Sequence, residues 1–193
     1  MNIPIVVEGY KTRSLLQTLD NCGCLDRKTG GFCFPRAWQN PDILRYFAKV
    51  LWESIWLDRE SEPIRFRWAV PDMLVGMHEC SNGDDLVPLL YLMGDQLGAR
   101  ADVRTVLVRR SPSRRVILDP VQYDWSPGKT AVIVQTVFCL KDVEDLTLAL
   151  MRQGVEVIGA VCLVNQGKSI DSVTENLPLH CLIEGSEVID FIN

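Results

Sequence analysis

Arg109-Arg110 and Arg114-Arg115 form the one dense basic cluster in the chain. Guanidinium groups gathered this closely attract polyanions, and each planar fork can grip a phosphate through two oxygens. The competing reading is a solvated hairpin arm. Upstream, His78-Glu79-Cys80 sets an imidazole base two residues from a thiol nucleophile. That spacing suits Cys/His hydrolysis only if the loop stays extended, and no third group to orient the imidazole is in view. Cys22, Cys24 and Cys33 offer three thiols. Cys-x-Cys is not zinc-knuckle spacing and no fourth Cys or His lies near, so the favoured reading is a turn with thiols as small apolar fillers, and no metal is expected. Asp84 and Asp85 have the chemistry for Mg²⁺, but capping the helix that begins near Leu86 is the favoured role.

The element placed to present a ligand spans residues 130–166. Ala131-Val132-Ile133-Val134 is a continuous apolar run, the pattern of a strand covered on both faces. Asp142-Val143-Glu144-Asp145 brings an N-cap candidate, Asp142, and further first-turn acids. Leu146, Leu148, Ala149, Leu150 and Met151 follow, and Gly154 stands where a C′ glycine ends a helix. Residues 155–164 are rich in β-branched side chains and return as a second strand, so a right-handed parallel crossover is predicted. Ligands in such sheets bind beyond the carboxyl ends of the strands, where Gln135-Thr136-Val137-Phe138-Cys139-Leu140-Lys141 falls.

This unit resembles that of the type I phosphoribosyltransferases, and orotate phosphoribosyltransferases most of all. The resemblance implies two adjacent acids after the strand, then a Thr/Gly-rich loop cradling the 5-phosphate of phosphoribosyl pyrophosphate. The acids' positions hold Gln135 and Thr136, and the loop has no glycine. Without glycine the backbone cannot readily turn its N–H groups onto an anion, and without carboxylates nothing there balances a cationic ribosyl group in transit. The frame is kept while the residues for the chemistry are not.

The same resemblance runs through most of the chain. Residues 14–19 and 40–51 match the two N-terminal helices, the second with Asn40 as N-cap and Pro41 at N1. Gly30-Gly31-Phe32-Cys33-Phe34 falls in the hood over the base, residues 72–76 on the strand before the pyrophosphate loop, and residues 88–98 on the next helix. Residues 105–110 match the following strand, and residues 177–183 the last strand of the hood. Residues 78–85 fall on the pyrophosphate loop, here longer and acidic, which repels the anion that such a loop holds. Arg109 and Arg110 take the place of an Arg-Lys pair that meets the pyrophosphate, whereas Ser113 and Arg115-Val116 replace the Lys and His-Gly of the mobile catalytic loop. Electrostatic attraction survives there and general acid-base help does not.

Trp52 and Trp56, four apart on a predicted helix, read as core or dimer packing rather than a base platform with Phe66 and Trp68. Trp125 lies in a turn-rich segment and is read as exposed. With 193 residues and 47% hydrophobic content, the chain suits one α/β domain over 1–193, its hood built from about 1–40 plus 177–193. The net charge of −5 argues against a broad nucleic-acid surface. No run approaches the ~18 apolar residues of a membrane span, and residues 1–4 have no signal-peptide character. Seven cysteines, some in predicted core strands, fit a reducing compartment, so a cytoplasmic protein is expected.

The expected architecture is therefore α/β: a phosphoribosyltransferase-like, mostly parallel central sheet flanked by helices, with a small N-terminal hood. Arg109, Arg110, Gln135, Thr136, Cys139 and Lys141 are the expected ligand-binding residues, with His78, Cys80, Arg114 and Arg115 as further candidates and no catalytic residue assigned. The expected function is a catalytically degenerate homodimer that binds a small phosphorylated metabolite or a protein partner. The alternative is a divergent active transferase, for which alone Mg²⁺ is expected as cofactor, and a Cys/His hydrolase at His78 and Cys80 is a weaker third.

Overall fold

The structure, a computed structural model, describes residues 12–61, 70–78, 86–98, 103–113, 115–118, 125, 127–166 and 177–193. The N-terminal part runs through α1 (Thr12–Asn21), a short hairpin of β1 (Leu25–Asp26) and β2 (Gly31–Phe32), α2 (Pro35–Trp38) and α3 (Pro41–Ser61). Asn40 caps α3 as the sequence implies: its Oδ1 accepts the amides of Asp42 at 3.0 Å and Ile43 at 3.4 Å, and Pro41 supplies no amide to satisfy.

The central sheet follows. β3 (Met73–Met77), α4 (Val87–Gly98), β4 (Arg104–Arg110) and β5 (Val116–Ile117) make one side. β6 (Thr130–Val137), α5 (Leu140–Met151), β7 (Glu156–Asn165), β8 (Leu179–Glu184) and α6 (Gly185–Ile192) make the other. The spatial order is β5-β4-β3-β6-β7-β8, parallel throughout except for the β4–β5 hairpin. All five residues of β3 and residues 131–136 of β6 are buried, as continuous apolar strands with both faces covered must be. α4 approaches closely because Gly94 lies where any Cβ would collide with the Thr105 hydroxyl on β4. Asp72 staples the starts of the two middle strands, accepting the Thr130 amide at 2.8 Å and Lys129 Nζ at 2.9 Å. Those bonds, the Thr130 amide foremost, hold its carboxyl below the usual range.

The predicted crossover is present: β6 and β7 are parallel, and Gly154 turns the chain out of α5 at φ +76°. Three sequence expectations need correcting. α5 begins at Leu140 with Cys139 as N-cap, so Asp142 is inside the first turn rather than at the cap. Residues 179–184, expected as the last strand of the hood, pair with β7 as the sixth and parallel strand of the central sheet. On β8 only His180 and Ile183 are buried and the rest are half-buried, which suits an edge strand touched by α1, α3 and α6. Trp125 is buried, only 8% exposed, as a member of the hydrophobic core. Trp52 is half-buried against that core, whereas Trp56, Phe66 and Trp68 have side chains outside the description.

Candidate functional site

Leaving β3, the sheet grows through β4 in one direction, and leaving β6 it grows through β7 in the other. The reversal puts a topological switch point between β3 and β6, and a crevice opens beyond the carboxyl ends of strands at such a point. The residues there are His78 after β3, Arg110 at the end of β4, and Gln135 to Cys139 at the end of β6.

Gln135 and Thr136 are both buried, at 2% and 0% exposure. Gln135 Oε1 accepts the amide of Cys139 at 2.9 Å, which satisfies a donor at the mouth of α5. Its Nε2 is enclosed and has no hydrogen-bond partner among the described residues. A buried N–H left in that state costs about 1–3 kcal/mol. Between Val137 and Leu140 only Phe138 and Cys139 intervene. Phe138 donates its amide to Val164 O at 2.8 Å, extending the β6–β7 ladder, and Cys139 is extended at φ −130°, ψ 106°. Among the described residues the glycines with positive φ are Gly23, Gly30, Gly128 and Gly154, none of them in this connection. The connection is thus taut and presents no curled nest of amides.

The N-terminus of α5 faces charge of the protein's own. Arg110 reaches from β4 to Asp142, whose side chain is wholly buried, and to Asp145 Oδ2 at 2.8 Å. Burial disfavours the Arg110 cation, but the bonds to Asp145 and Asp142 outweigh it and raise the guanidinium pKa further. The sequence reading missed this triad, since Asp142 looked like a cap and Arg110 lies 32 residues away. One signal was available: acids at 142 and 145 share a helix face, and such a pair invites a cation.

The other expected site residues are scattered. Arg109 is exposed on β4 and faces Ile117 across the hairpin. Lys141 is exposed on the first turn of α5, and Cys139 is half-buried at its cap. His78 is exposed, with its amide bonded to Val108 O at 2.8 Å, while Cys80, Arg114, Asp84 and Asp85 lie outside the described residues. Arg115 lines a separate groove of about 490 Å³ between the hairpin arm and the last turn of α5, with Ser111, Ser113, Arg152 and Gln153. Arg152 is ten residues beyond Asp142, roughly 15 Å along the helix, so this cationic groove is distinct from the crevice.

No family model matches the sequence, and no curated protein is similar to it in sequence. Solved structures do match. Orotate phosphoribosyltransferase from Mycobacterium tuberculosis, in complex with inorganic phosphate, superposes at a TM-score of 0.63 with 13% identity, covering 93% of this chain and 91% of that one. Adenine phosphoribosyltransferase from Thermoanaerobacter pseudethanolicus gives 0.59 at 12% identity, over 88% and 99%. The chain has the type I phosphoribosyltransferase fold. UMP synthase of Leishmania donovani also matches, at 0.62 and 13%, over 94% of this chain, which spans 38% of that longer protein.

At this end of the sheet the described residues do not suit Mg²⁺. The end of β6 carries a carboxamide and a hydroxyl, and the carboxylates of Asp142 and Asp145 are held by Arg110. Among the described residues no group of three His, Cys, Asp or Glu side chains converges as a metal site, and no helix is long and apolar enough to cross a membrane.

Proposed function

We propose that this phosphoribosyltransferase-fold chain is catalytically degenerate and binds a small phosphorylated metabolite, or a protein partner, as a cytoplasmic homodimer. The observation that carries the reading is the β6–α5 connection. Its residue Cys139 is extended, it has no glycine, and the helix mouth beyond it is already faced by Asp142 and Asp145. A phosphate placed there would meet two carboxylates before any nest of amides. Binding capacity remains in other groups. Arg109, Arg115, Arg152 and Lys141 are exposed cations. Half-buried Trp52 supports pairing of two copies by offering an aromatic anchor.

Titration calorimetry with phosphoribosyl pyrophosphate, with and without Mg²⁺, tests this reading. The expected result is salt-sensitive binding that Mg²⁺ does not strengthen and that Arg109→Ala weakens. Tight binding that requires Mg²⁺ would favour the divergent transferase, whose support is the shared fold. A monomeric mass by light scattering at micromolar concentration would remove the homodimer from the proposal.

A further inference from the structure

Cys162 and Cys181 are register partners on β7 and β8. Adjacent strands lie about 4.7–4.9 Å apart, inside the Cα separation of about 4.4–6.8 Å that a disulfide spans. Side chains of register partners project from the same face of the sheet, so the two thiols are neighbours. Cys162 is fully enclosed, whereas Cys181 is half-buried and therefore the sulfur a reagent meets first. The Cys181 thiol donates to Glu184 Oε1 at 2.6 Å, and Glu184 Oε2 accepts from Asn165 Nδ2 at 3.1 Å. Glu184 is further fixed by a capping box with Glu187 at the start of α6. A reagent-accessible thiol beside an enclosed second thiol at disulfide spacing supplies the parts of an exchange centre, with Glu184 holding the accessible thiol protonated at rest.

We propose that Cys162 and Cys181 are a thiol-oxidation site, closed to a reversible disulfide by a low-molecular-weight disulfide such as oxidised glutathione. In mildly alkaline solution the Cys181 thiol loses its proton to the buffer, and the thiolate attacks the reagent, breaking the reagent's S–S bond and expelling one thiolate. Cys162 then attacks Cys181 Sγ, forming the protein disulfide and expelling the second thiolate. The two protein thiols lose two electrons to the reagent, and their two protons end on the released thiols. The hydrogen bond shared with Cys162, then burial and Glu184, push the Cys181 pKa well above the ordinary thiol range. The exchange is accordingly slow, and the reduced pair is the resting state. Once closed, the bond fastens β8 and α6 to β7 beside the point where Gln166 Nε2 donates to Gly30 O in the β1–β2 turn. Oxidation thus stiffens the attachment of the N-terminal hairpin to the sheet.

The full chain is incubated with oxidised glutathione in mildly alkaline buffer, then alkylated, digested and read by mass spectrometry. The expected product is a peptide pair joined through Cys162 and Cys181, lighter by two hydrogens and cleaved by reductant, with a higher Tm for the oxidised protein. Cys162→Ser should instead retain glutathione on Cys181. If that variant does not fold, Cys181→Ala serves in its place and should leave Cys162 open to alkylation only after denaturation. Glutathione held on Cys181 of the unsubstituted protein beside a free Cys162, or a Cys24–Cys33 bond formed instead, would overturn the proposal.

Discussion

Two cationic regions of this molecule use arginine in opposite ways. At the carboxyl end of the sheet Arg110 is largely buried, bonded to Asp142 and Asp145, and its charge is consumed within the fold. On the arm and along α5, Arg109, Arg115 and Arg152 are exposed, and among the described residues none of them enters an ion pair. Neighbours in sequence, Arg109 and Arg110 are separated by the pleat of one strand, which turns successive side chains to opposite faces. One pair of arginines therefore yields one structural residue and one free for a ligand, and proximity in sequence did not reveal which.

Arg110→Ala breaks the comparison hardest. It strands Asp142, fully buried, without its cation, and the expected loss is about 3–5 kcal/mol in denaturant unfolding. Arg109→Ala, made on the other face of the same strand, should change stability by less than about 0.5 kcal/mol. Equal effects for the two would erase the distinction.

Acid stability follows from a different residue and must be separated from this. His180 is buried on β8, and burial lowers its pKa to about 4. The folded chain then resists protonation while the unfolded chain accepts a proton near pH 6.5, so stability is full above that pH and falls as pH drops towards 4. From that shift the loss is about 3 kcal/mol at the lower end. Unfolding of His180→Phe across this range should show a flatter slope; an unchanged slope would assign acid sensitivity elsewhere.

A smaller effect is expected at Gln135→Ala, which removes the acceptor for the Cys139 amide and should cost about 1–3 kcal/mol. Smallest in stability, yet decisive for binding, is Arg115→Ala. Unfolding should be unchanged within about 0.5 kcal/mol, while pyrophosphate affinity falls several-fold and becomes less sensitive to salt. If affinity is unaffected, the arm is a solvated surface.

The sequence disclosed the parts whose signals are local. The apolar run at residues 131–134, the acids and glycine bracketing α5, and Asn40-Pro41 ahead of α3 each mark their element within a few residues. The order of those elements then pointed to the fold. Pairings made across distance were not legible. The bonds from Arg110 to Asp142 and from Gln166 to Gly30 depend on which strand lies beside which. Trp125 was misread for the same reason, since a turn-rich segment says nothing of what covers it. In the candidate site, Gln135 and Thr136 were visible as types, but the hold of Gln135 on Cys139 required the taut connection to be seen.

The central proposal is that the ligand end of this sheet does not support transfer of phosphoribose. Losing one preorganised electrostatic contact typically costs on the order of 10²–10³ in rate, and here the phosphate cradle and the paired acids at Gln135 and Thr136 are both replaced. The direct measurement is nucleotide formation from phosphoribosyl pyrophosphate with orotate or with adenine, in the presence of Mg²⁺, followed by mass-resolved product detection. The expected result is no product above the protein-free background. Measurable turnover that Arg109→Ala abolishes would contradict the account and establish a divergent transferase.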